Sequence, residues 1–237
     1  MSGENGARPA LSVCIFAWDE VETVASFVDE MLSTLRALGV TWEILLIDDG
    51  STDGTSEKID AKAAEDPAIR VVHHAENSGL GAVYRTGFDQ ARGDVVTFFP
   101  ADAQFPASTV DILYPHTTTH DMVLGYLPAR GDFVGKTLSA IERILYRALL
   151  GPLPRFQGIF MVKRRVLEEV PLVSRGRGWA IVMELLIRAS RAGYRMKSLP
   201  TTLRPRTHGQ SKVNNLRTIQ ANMKQLVALR RLIDRTS

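Results

Sequence analysis

A short apolar run followed by two oxygen-bearing side chains lies near the middle of the chain. The stretch 94–106 reads DVVTFFPADAQFP, and Asp102 and Gln104 follow its apolar part. We interpret the run as a buried strand that delivers both side chains to the carboxyl edge of a sheet, where open α/β sheets bind ligands. A carboxylate and an amide oxygen held by a turn suit Mg²⁺ or Mn²⁺ with a phosphate attached. Taken alone, Asp102 is more simply explained as a turn aspartate, so the case for a ligand site depends on neighbouring motifs.

Two adjacent carboxylates, Asp48 and Asp49, follow a second apolar run, WEILLI. At a strand end such a carboxylate can accept hydrogen bonds from ribose hydroxyls or from a base N–H. The residues that come next, GSTDGT, are rich in turn and capping types, so a helix N-cap explains the pair equally well. The residues alone leave both explanations open.

The stretch NSGLGAVYRTG contains glycines at positions 79, 81 and 87. Gly79 and Gly81 would let the backbone turn tightly or approach a ligand closely. A tight connection between a strand and a helix accounts for them equally well. The first strand is not followed by G-x-G-x-x-G, and the chain has no phosphate-loop lysine motif, which disfavours dehydrogenases and P-loop NTPases.

Strand and helix patterns alternate in the first half of the chain. Apolar runs predict strands and 3.6-residue spacing predicts helices, the strands at 11–16, 42–47 and 69–73 and the helices at 19–38, 52–64 and 80–91. This alternation favours a mostly parallel sheet with helices on both faces, the α/β class.

Composition and net charge limit the classes of partner that this protein is expected to bind. The chain has 237 residues, a formal net charge of +3 and a pI of about 9.1. This mild basic excess fits a phosphate-bearing substrate or a membrane surface, and we expect no nucleic-acid partner. One cysteine, Cys14, excludes an internal disulfide framework and favours a reducing, cytoplasmic location.

Six blocks of this sequence, taken in order, resemble the inverting family 2 glycosyltransferases with a GT-A fold, in particular their dolichyl-phosphate mannosyltransferase branch. The blocks are FAWDE at 16–20, IDDGSTDGT at 47–55, NSGLGAVYRTGFDQARGD at 77–94, PADAQFP at 100–106, ELLIRASRAGYRMKSLP at 184–200 and RPRTHGQSKV at 204–213. The resemblance therefore extends through most of the chain, to about Val213.

The resemblance implies a role for individual residues on the donor side. Asp102 and Gln104 match the second carboxylate and the glutamine of the family's metal motif, which implies Mg²⁺ or Mn²⁺ as cofactor. Arg206 matches the arginine that clamps the donor diphosphate, so Asp102 and Arg206 are the implied catalytic residues. The implied nucleotide-binding residues are Ala17, Trp18, Glu20, Asp48, Asp49 and Gly79.

On the acceptor side, Ser139 with the nearby cations Arg130 and Lys136 lies where the branch binds a lipid phosphate. Ser211 and Lys212, in the same segment as Arg206, are also expected to bind the acceptor or a phosphate. If the acceptor is a hydroxyl, a general base is needed, and Glu184 and Asp102 are the candidates. Glu184 is also interpreted as a structural or acceptor-side hydrogen-bond acceptor.

Several positions depart from the family pattern. Pro100 replaces the first metal-motif aspartate, so one carboxylate is missing. Phe16, Trp18 and Asp19 replace the family's Pro, Tyr and Asn, and Val182 replaces an Asp. Because Mg²⁺ keeps waters and takes only one or two carboxylates, Asp102 and Gln104 can still form part of its shell.

We expect three regions: a tail at 1–10, a glycosyltransferase domain at 11–213 and an amphipathic helix at 214–237. The helix could pack on the domain, on a second copy of the chain in a homodimer, or on a membrane surface. No apolar stretch is long enough to span a bilayer, so any membrane contact is expected to be peripheral.

The expected activity is transfer of a hexose, with inversion, from GDP-mannose or a UDP-hexose to a polyprenyl phosphate. Two alternatives remain: transfer to a soluble hydroxyl acceptor, and a non-catalytic sugar-nucleotide-binding homologue, the latter because of Pro100. An NAD-binding oxidoreductase is the weakest alternative.

Overall fold

The computed structural model describes residues 8–128 and 154–205. Their centre is a seven-stranded sheet in the order β3-β2-β1-β4-β6-β5-β7. The strands are β1 (Leu11–Ala17), β2 (Trp42–Asp48), β3 (Ile69–His73), β4 (Val95–Pro100), β5 (Met122–Tyr126), β6 (Phe160–Lys163) and β7 (Met196–Pro200). The expected α/β class with a mostly parallel sheet is confirmed: four strand pairs are parallel, and β6 lies antiparallel between β4 and β5.

Helices cover both faces of this sheet, and each face has its own apolar core. The helices are α1 (Val24–Leu38), α2 (Thr55–Glu65), α3 (Leu80–Gln90), α4 (Thr109–Leu113), α5 (Arg164–Glu169) and α6 (Ala180–Arg191), with a 3₁₀ helix at Tyr114–Thr118. One core packs α1, α2 and α4 against the sheet, and the other packs α3, α5 and α6. Because β1, β2 and β4 are buried on both sides, their sequences are continuous apolar runs.

A close approach fixes α3 against the sheet. A Cβ on Gly87 would lie 2.2 Å from Cε1 of Phe98 and 3.1 Å from Sγ of Cys14. Only glycine fits there, so the beginning of α3, which carries Gly79 and Gly81, has a fixed height above the strands. Burial raises the pKa of the Cys14 thiol, in agreement with an inert core cysteine.

None of the helices within the described residues has the length and apolarity that a membrane crossing requires. Residues 1–7 of the expected tail at 1–10, and the expected amphipathic helix at 214–237, lie outside the described residues.

Candidate active site

Three neighbouring parallel strands bring the predicted site residues to one edge of the sheet. Ala17 at the end of β1 pairs with Asp48 at the end of β2, and Phe16 pairs with Pro100 at the end of β4. Loops 17–23, 48–54 and 101–108 therefore leave the sheet side by side. The structure thus brings together the predicted nucleotide-binding and metal-binding residues, as expected for the carboxyl edge of such a sheet.

The first two loops are tied to each other. The Asp19 N–H donates to Ser51 Oγ at 3.0 Å, and Asp19 Oδ1 accepts from the Thr52 N–H at 2.9 Å. The Glu20 N–H donates to Thr55 Oγ1 at 2.9 Å. Asp19 takes a left-handed backbone conformation with φ 52°, which costs free energy in a non-glycine residue and is often found at functional sites. These contacts join the loops 17–23 and 48–54, which together we call the rim, and Trp18 in the first of them is 40% exposed.

Asp48 is buried, and its carboxylate is used within the protein. It accepts from the Ser51 N–H at 3.0 Å, from Ser56 Oγ at 2.5 Å, and pairs with His73 Nδ1 at 2.9 Å. Burial alone would raise the pKa of Asp48, but the hydrogen bonds from Ser51, Ser56 and His73 lower it below its ordinary value. Asp48 therefore stabilises the β2–α2 loop as a carboxylate.

Asp49 fixes the loop that leads into α3. Its oxygens accept from the N–H groups of Ser78 and Gly79 at 3.0 and 2.8 Å, and pair with His74 Nδ1 at 2.7 Å. His74 in turn contacts Thr86 Oγ1 through Nε2 at 2.8 Å. Both aspartates thus lie at the expected edge with protein donors on their oxygens, and direct contact of either with a nucleotide stays a prediction.

The space beside Gly79 and Gly81 is filled by the chain itself. A Cβ on Gly81 would lie 2.0 Å from the Gly176 carbonyl oxygen, and the Gly81 N–H donates to the Arg177 carbonyl at 2.8 Å. Arg177 Nη2 also donates to the backbone and side-chain oxygens of Asn77, both at 2.6 Å. We call residues 172–179 the arginine loop. We did not predict this loop from the sequence, although its RGRG run at 175–178 could have indicated a backbone packed against another backbone.

Glu184, on α6, holds the arginine loop by accepting hydrogen bonds from its backbone. Its side chain is fully buried, accepts from the N–H groups of Val173 and Ser174 at 3.1 and 2.8 Å, and pairs with Arg188 Nε at 2.8 Å. The structural alternative predicted for Glu184 therefore has direct support. Contact with an acceptor stays a prediction for this residue.

Asp102 and Gln104 occupy an irregular turn between β4 and α4. Asp102 Oδ1 accepts from the Gln104 N–H at 3.1 Å, and Ala103 between them is left-handed with φ 56°. Within the described residues, no three His, Cys, Asp or Glu side chains are arranged to hold a metal ion. By their chemistry, one carboxylate and one amide oxygen nevertheless suit a Mg²⁺ or Mn²⁺ ion whose remaining ligands would be diphosphate oxygens and water.

Six predicted residues lie outside the described residues: Arg130, Lys136, Ser139, Arg206, Ser211 and Lys212. Their roles stay predictions.

The pairing of His73 with Asp48 leads to a prediction about pH. Partial burial alone would lower the pKa of His73, but hydrogen bonds to Asp48 and Asp60 raise it above its ordinary value. The contribution of these His73 interactions to the free energy of unfolding is therefore complete below about pH 6.5 and is lost as the pH rises through the raised pKa of His73. We expect His73→Asn to lower the free energy of unfolding more at about pH 6 than at about pH 8.5, by at most about 1 kcal/mol because the ring is partly exposed.

Urea unfolding at the two pH values measures this difference. His120→Asn is the matched control, because that ring bonds to Thr119 and to the His116 carbonyl rather than to a carboxylate. An equal loss of stability for His73→Asn at both pH values would contradict the proposed ion pair.

Comparisons with known sequences agree with this arrangement. The glycosyl transferase family 2 model matches residues 12–170. The dolichol-phosphate mannosyltransferase of Saccharomyces cerevisiae is 29% identical over 191 residues, which are 75% of this chain and 71% of that protein. The undecaprenyl-phosphate mannosyltransferase of Micrococcus luteus is 29% identical over 197 residues, 77% of this chain and 80% of that protein. An undecaprenyl-phosphate 4-deoxy-4-formamido-L-arabinose transferase of Pectobacterium carotovorum is 33% identical over 133 residues, and the match covers 55% of this chain and 40% of that protein.

Solved structures show the same fold. Glucosyl-3-phosphoglycerate synthase from Mycobacterium tuberculosis, in complex with Mn²⁺, UDP and phosphoglyceric acid, has a TM-score of 0.70 at 23% identity, covering 94% of this chain and 77% of its own. A mannosyltransferase from Pyrobaculum calidifontis in complex with GDP-Man and Mn²⁺ has a TM-score of 0.62 at 19% identity, covering 87% and 59%. These likenesses confirm the expected GT-A fold. Because the family model matches more than half of the chain, this protein belongs to glycosyl transferase family 2.

Proposed function

We propose that this glycosyltransferase moves a hexose, with inversion, from a nucleoside diphosphate sugar to a polyprenyl phosphate, assisted by Mg²⁺ or Mn²⁺. The observation that carries the proposal is the position of the Asp102 turn, which leaves β4 directly beside the loops that follow β1 and β2. The Asp102 carboxylate, which would bind the cation, therefore lies at the same edge of the sheet as the loops that would bind the nucleotide. The relatives named as dolichol-phosphate and undecaprenyl-phosphate mannosyltransferases support the acceptor class.

On the donor side, charge determines what the residues must do. Breaking the bond between the sugar and the diphosphate builds negative charge on the leaving group, and a bound divalent cation would stabilise that charge. Asp102 and Gln104 would hold the cation, and Arg206 would clamp the diphosphate. Trp18 and Glu20 on the rim, with Ala17, would frame the nucleoside.

The acceptor assignment also agrees with the state of Glu184. A hydroxyl acceptor needs a general base, whereas a lipid phosphate is already anionic at neutral pH. Of the two candidate bases, Glu184 is fully buried and bonded to Val173, Ser174 and Arg188, and Asp102 would be engaged by the cation. An acceptor that needs no base therefore suits this site better. Ser139 with Arg130 and Lys136 would bind the acceptor phosphate, and Ser211 and Lys212 would assist.

The reaction would take place where the lipid acceptor resides. We propose a peripheral contact with the cytoplasmic face of a membrane, to which the segment 214–237 would contribute, since its apolar residues recur at helical spacing beside basic ones. Packing of that segment on the domain or in a homodimer is the alternative.

A transfer assay tests the proposal. Purified protein is incubated with Mn²⁺, radiolabelled GDP-mannose or UDP-glucose, and a polyprenyl phosphate. We expect label in an organic-extractable, acid-labile product, because a glycosyl phosphate of a lipid has both properties. Label transferred only to a water-soluble hydroxyl acceptor would contradict the lipid acceptor. Binding of nucleotide sugars without any turnover would instead favour the non-catalytic homologue that Pro100 raises as an alternative.

A further inference from the structure

The turn that carries Asp102 and Gln104 is tied to a distant helix by one carboxylate. We call residues 101–107 the metal turn. Glu30, on α1, accepts from the Ala107 N–H through Oε1 at 2.9 Å, so it holds the end of the metal turn. The contact joins residues 77 positions apart in the sequence.

The Glu30 carboxylate also forms a bidentate ion pair with Arg204. Arg204 donates to Glu30 Oε2 through Nη1 at 2.7 Å and to Glu30 Oε1 through Nη2 at 2.9 Å, a two-pronged fork. The backbone N–H of Arg204 also donates to the Gln104 carbonyl at 2.7 Å. Glu30 and Arg204 thus hold the metal turn at two points, one at Ala107 and one at Gln104.

The metal turn needs such support because its own structure is irregular. β4 ends at Pro100, the Ala101 N–H still donates to the Phe16 carbonyl, and α4 begins only at Thr109, so residues 102–105 belong to no helix or strand. Ala103 is left-handed, which a non-glycine residue adopts only when its surroundings enforce it. On the other side Phe105 packs against Gly158, where a Cβ would lie 2.4 Å from the ring.

The exposure of both side chains indicates that the ion pair between Glu30 and Arg204 contributes little to the free energy of unfolding of the domain. The side chains of Glu30 and Arg204 are 32% and 46% exposed, and exposed ion pairs contribute little to folding. α1 is held by its buried apolar face whether or not the pair forms. An effect of the pair is therefore to be sought at the metal turn rather than in the stability of the domain.

We infer that Glu30 and Arg204 are positioning residues that hold Asp102 and Gln104 in the geometry that binds the divalent cation. The inference rests on the proposed function, because it concerns the cation of that same site. With Pro100 in place of a carboxylate, few protein ligands remain, so their placement matters more.

The test is a titration of Mn²⁺ in the presence of UDP or GDP, followed by the electron paramagnetic resonance signal of free Mn²⁺, together with thermal unfolding. We expect Arg204→Gln and Glu30→Gln each to raise the Kd for Mn²⁺ by about tenfold, the lower end of the range for residues that support metal ligands. The melting temperature should stay near that of the wild type. Because both residues act through one link, the double variant E30Q/R204Q should cost little more than either single change.

Arg36→Gln is the matched control, because Arg36 also lies on α1 and forms an exposed ion pair, with Asp66 at 3.1 Å, away from the metal turn. It should leave the Kd for Mn²⁺ unchanged. Variants of Glu30 and Arg204 that bind Mn²⁺ as well as the wild type, or that lose affinity only in proportion to a lower melting temperature, would overturn the positioning role alone. A wild-type protein that binds no Mn²⁺ alongside either nucleotide would overturn the metal site and the positioning role together.

Discussion

Replacing Asp102 with Asn is expected to lower kcat for sugar transfer by about 10²–10³-fold, because weaker binding of the cation would remove a preorganised stabiliser of the negative charge that develops on the leaving diphosphate. Pro100 stands at the position of the family's other motif carboxylate, so Asp102 is the carboxylate that this turn offers to a cation. Asparagine has nearly the same shape, and its Oδ1 can still accept from the Gln104 N–H. The substitution therefore removes charge while it preserves the turn.

Two measurements separate this explanation from a general defect. The rise in melting temperature that Mn²⁺ with a nucleoside diphosphate gives the wild type should disappear in Asp102→Asn, while the melting temperature without ligand stays the same. Asp111→Asn is the control, because it removes an exposed carboxylate from the neighbouring helix α4. Wild-type turnover, or an unchanged Mn²⁺-dependent shift in Asp102→Asn, would show that the cation binds elsewhere.

The strands that build the site could be predicted because of where they lie. β1, β2 and β4 are neighbours in the middle of the sheet and are covered on both faces, so their sequences are apolar without alternation. Parallel strands put their ends on one edge, and this was sufficient to expect Asp48, Asp49 and Asp102 close together. The antiparallel insertion of β6 between β4 and β5 could not be predicted, because it depends on pairing between segments far apart in the chain.

The residues at which α1 and α2 begin could also not be predicted accurately from the sequence. Helical spacing predicted a helix from Asp19, but α1 begins at Val24. Residues 19–23 instead belong to the loop that follows β1, because Asp19 bonds to Ser51 and Thr52, more than thirty positions away. α2 likewise begins at Thr55 rather than at Thr52. Local periodicity does not record such long-range hydrogen bonds, and these bonds are what shape the site.

The sequence alone also could not predict which groups form hydrogen bonds with Asp48, Asp49 and Glu184. His73 and His74 pair with Asp48 and Asp49 because β3 lies beside β2, although neither histidine belongs to a recognisable motif. The resemblance located Glu184 in a motif but could not show which groups its carboxylate contacts. Those contacts lead to the second large effect that we expect.

Glu184→Ala is expected to lower the free energy of unfolding by about 3–5 kcal/mol, the usual cost of breaking a buried ion pair on one side. The side chain of Glu184 is fully buried, and that of its partner Arg188 is only 10% exposed, so the substitution would remove a carboxylate from the side of a nearly buried guanidinium. The N–H groups of Val173 and Ser174 would lose their acceptor as well. Urea unfolding measures the loss, and Glu168→Ala, at an exposed position of α5, is the control.

The double variant E184M/R188M separates the two functions of this carboxylate. Removing both charges should restore the part of the stability that belongs to the ion pair, because apolar side chains can replace a buried pair at little cost. The arginine loop would still lack an acceptor for its N–H groups, so trypsin should cleave faster after the exposed Arg175 and Arg177 than in the wild type. Since the Arg177 carbonyl accepts from the Gly81 N–H, the KM for the donor should also rise. If E184M/R188M kept wild-type resistance to trypsin and a wild-type KM, Glu184 would serve only the ion pair, and the arginine loop would be held by its contacts with α3.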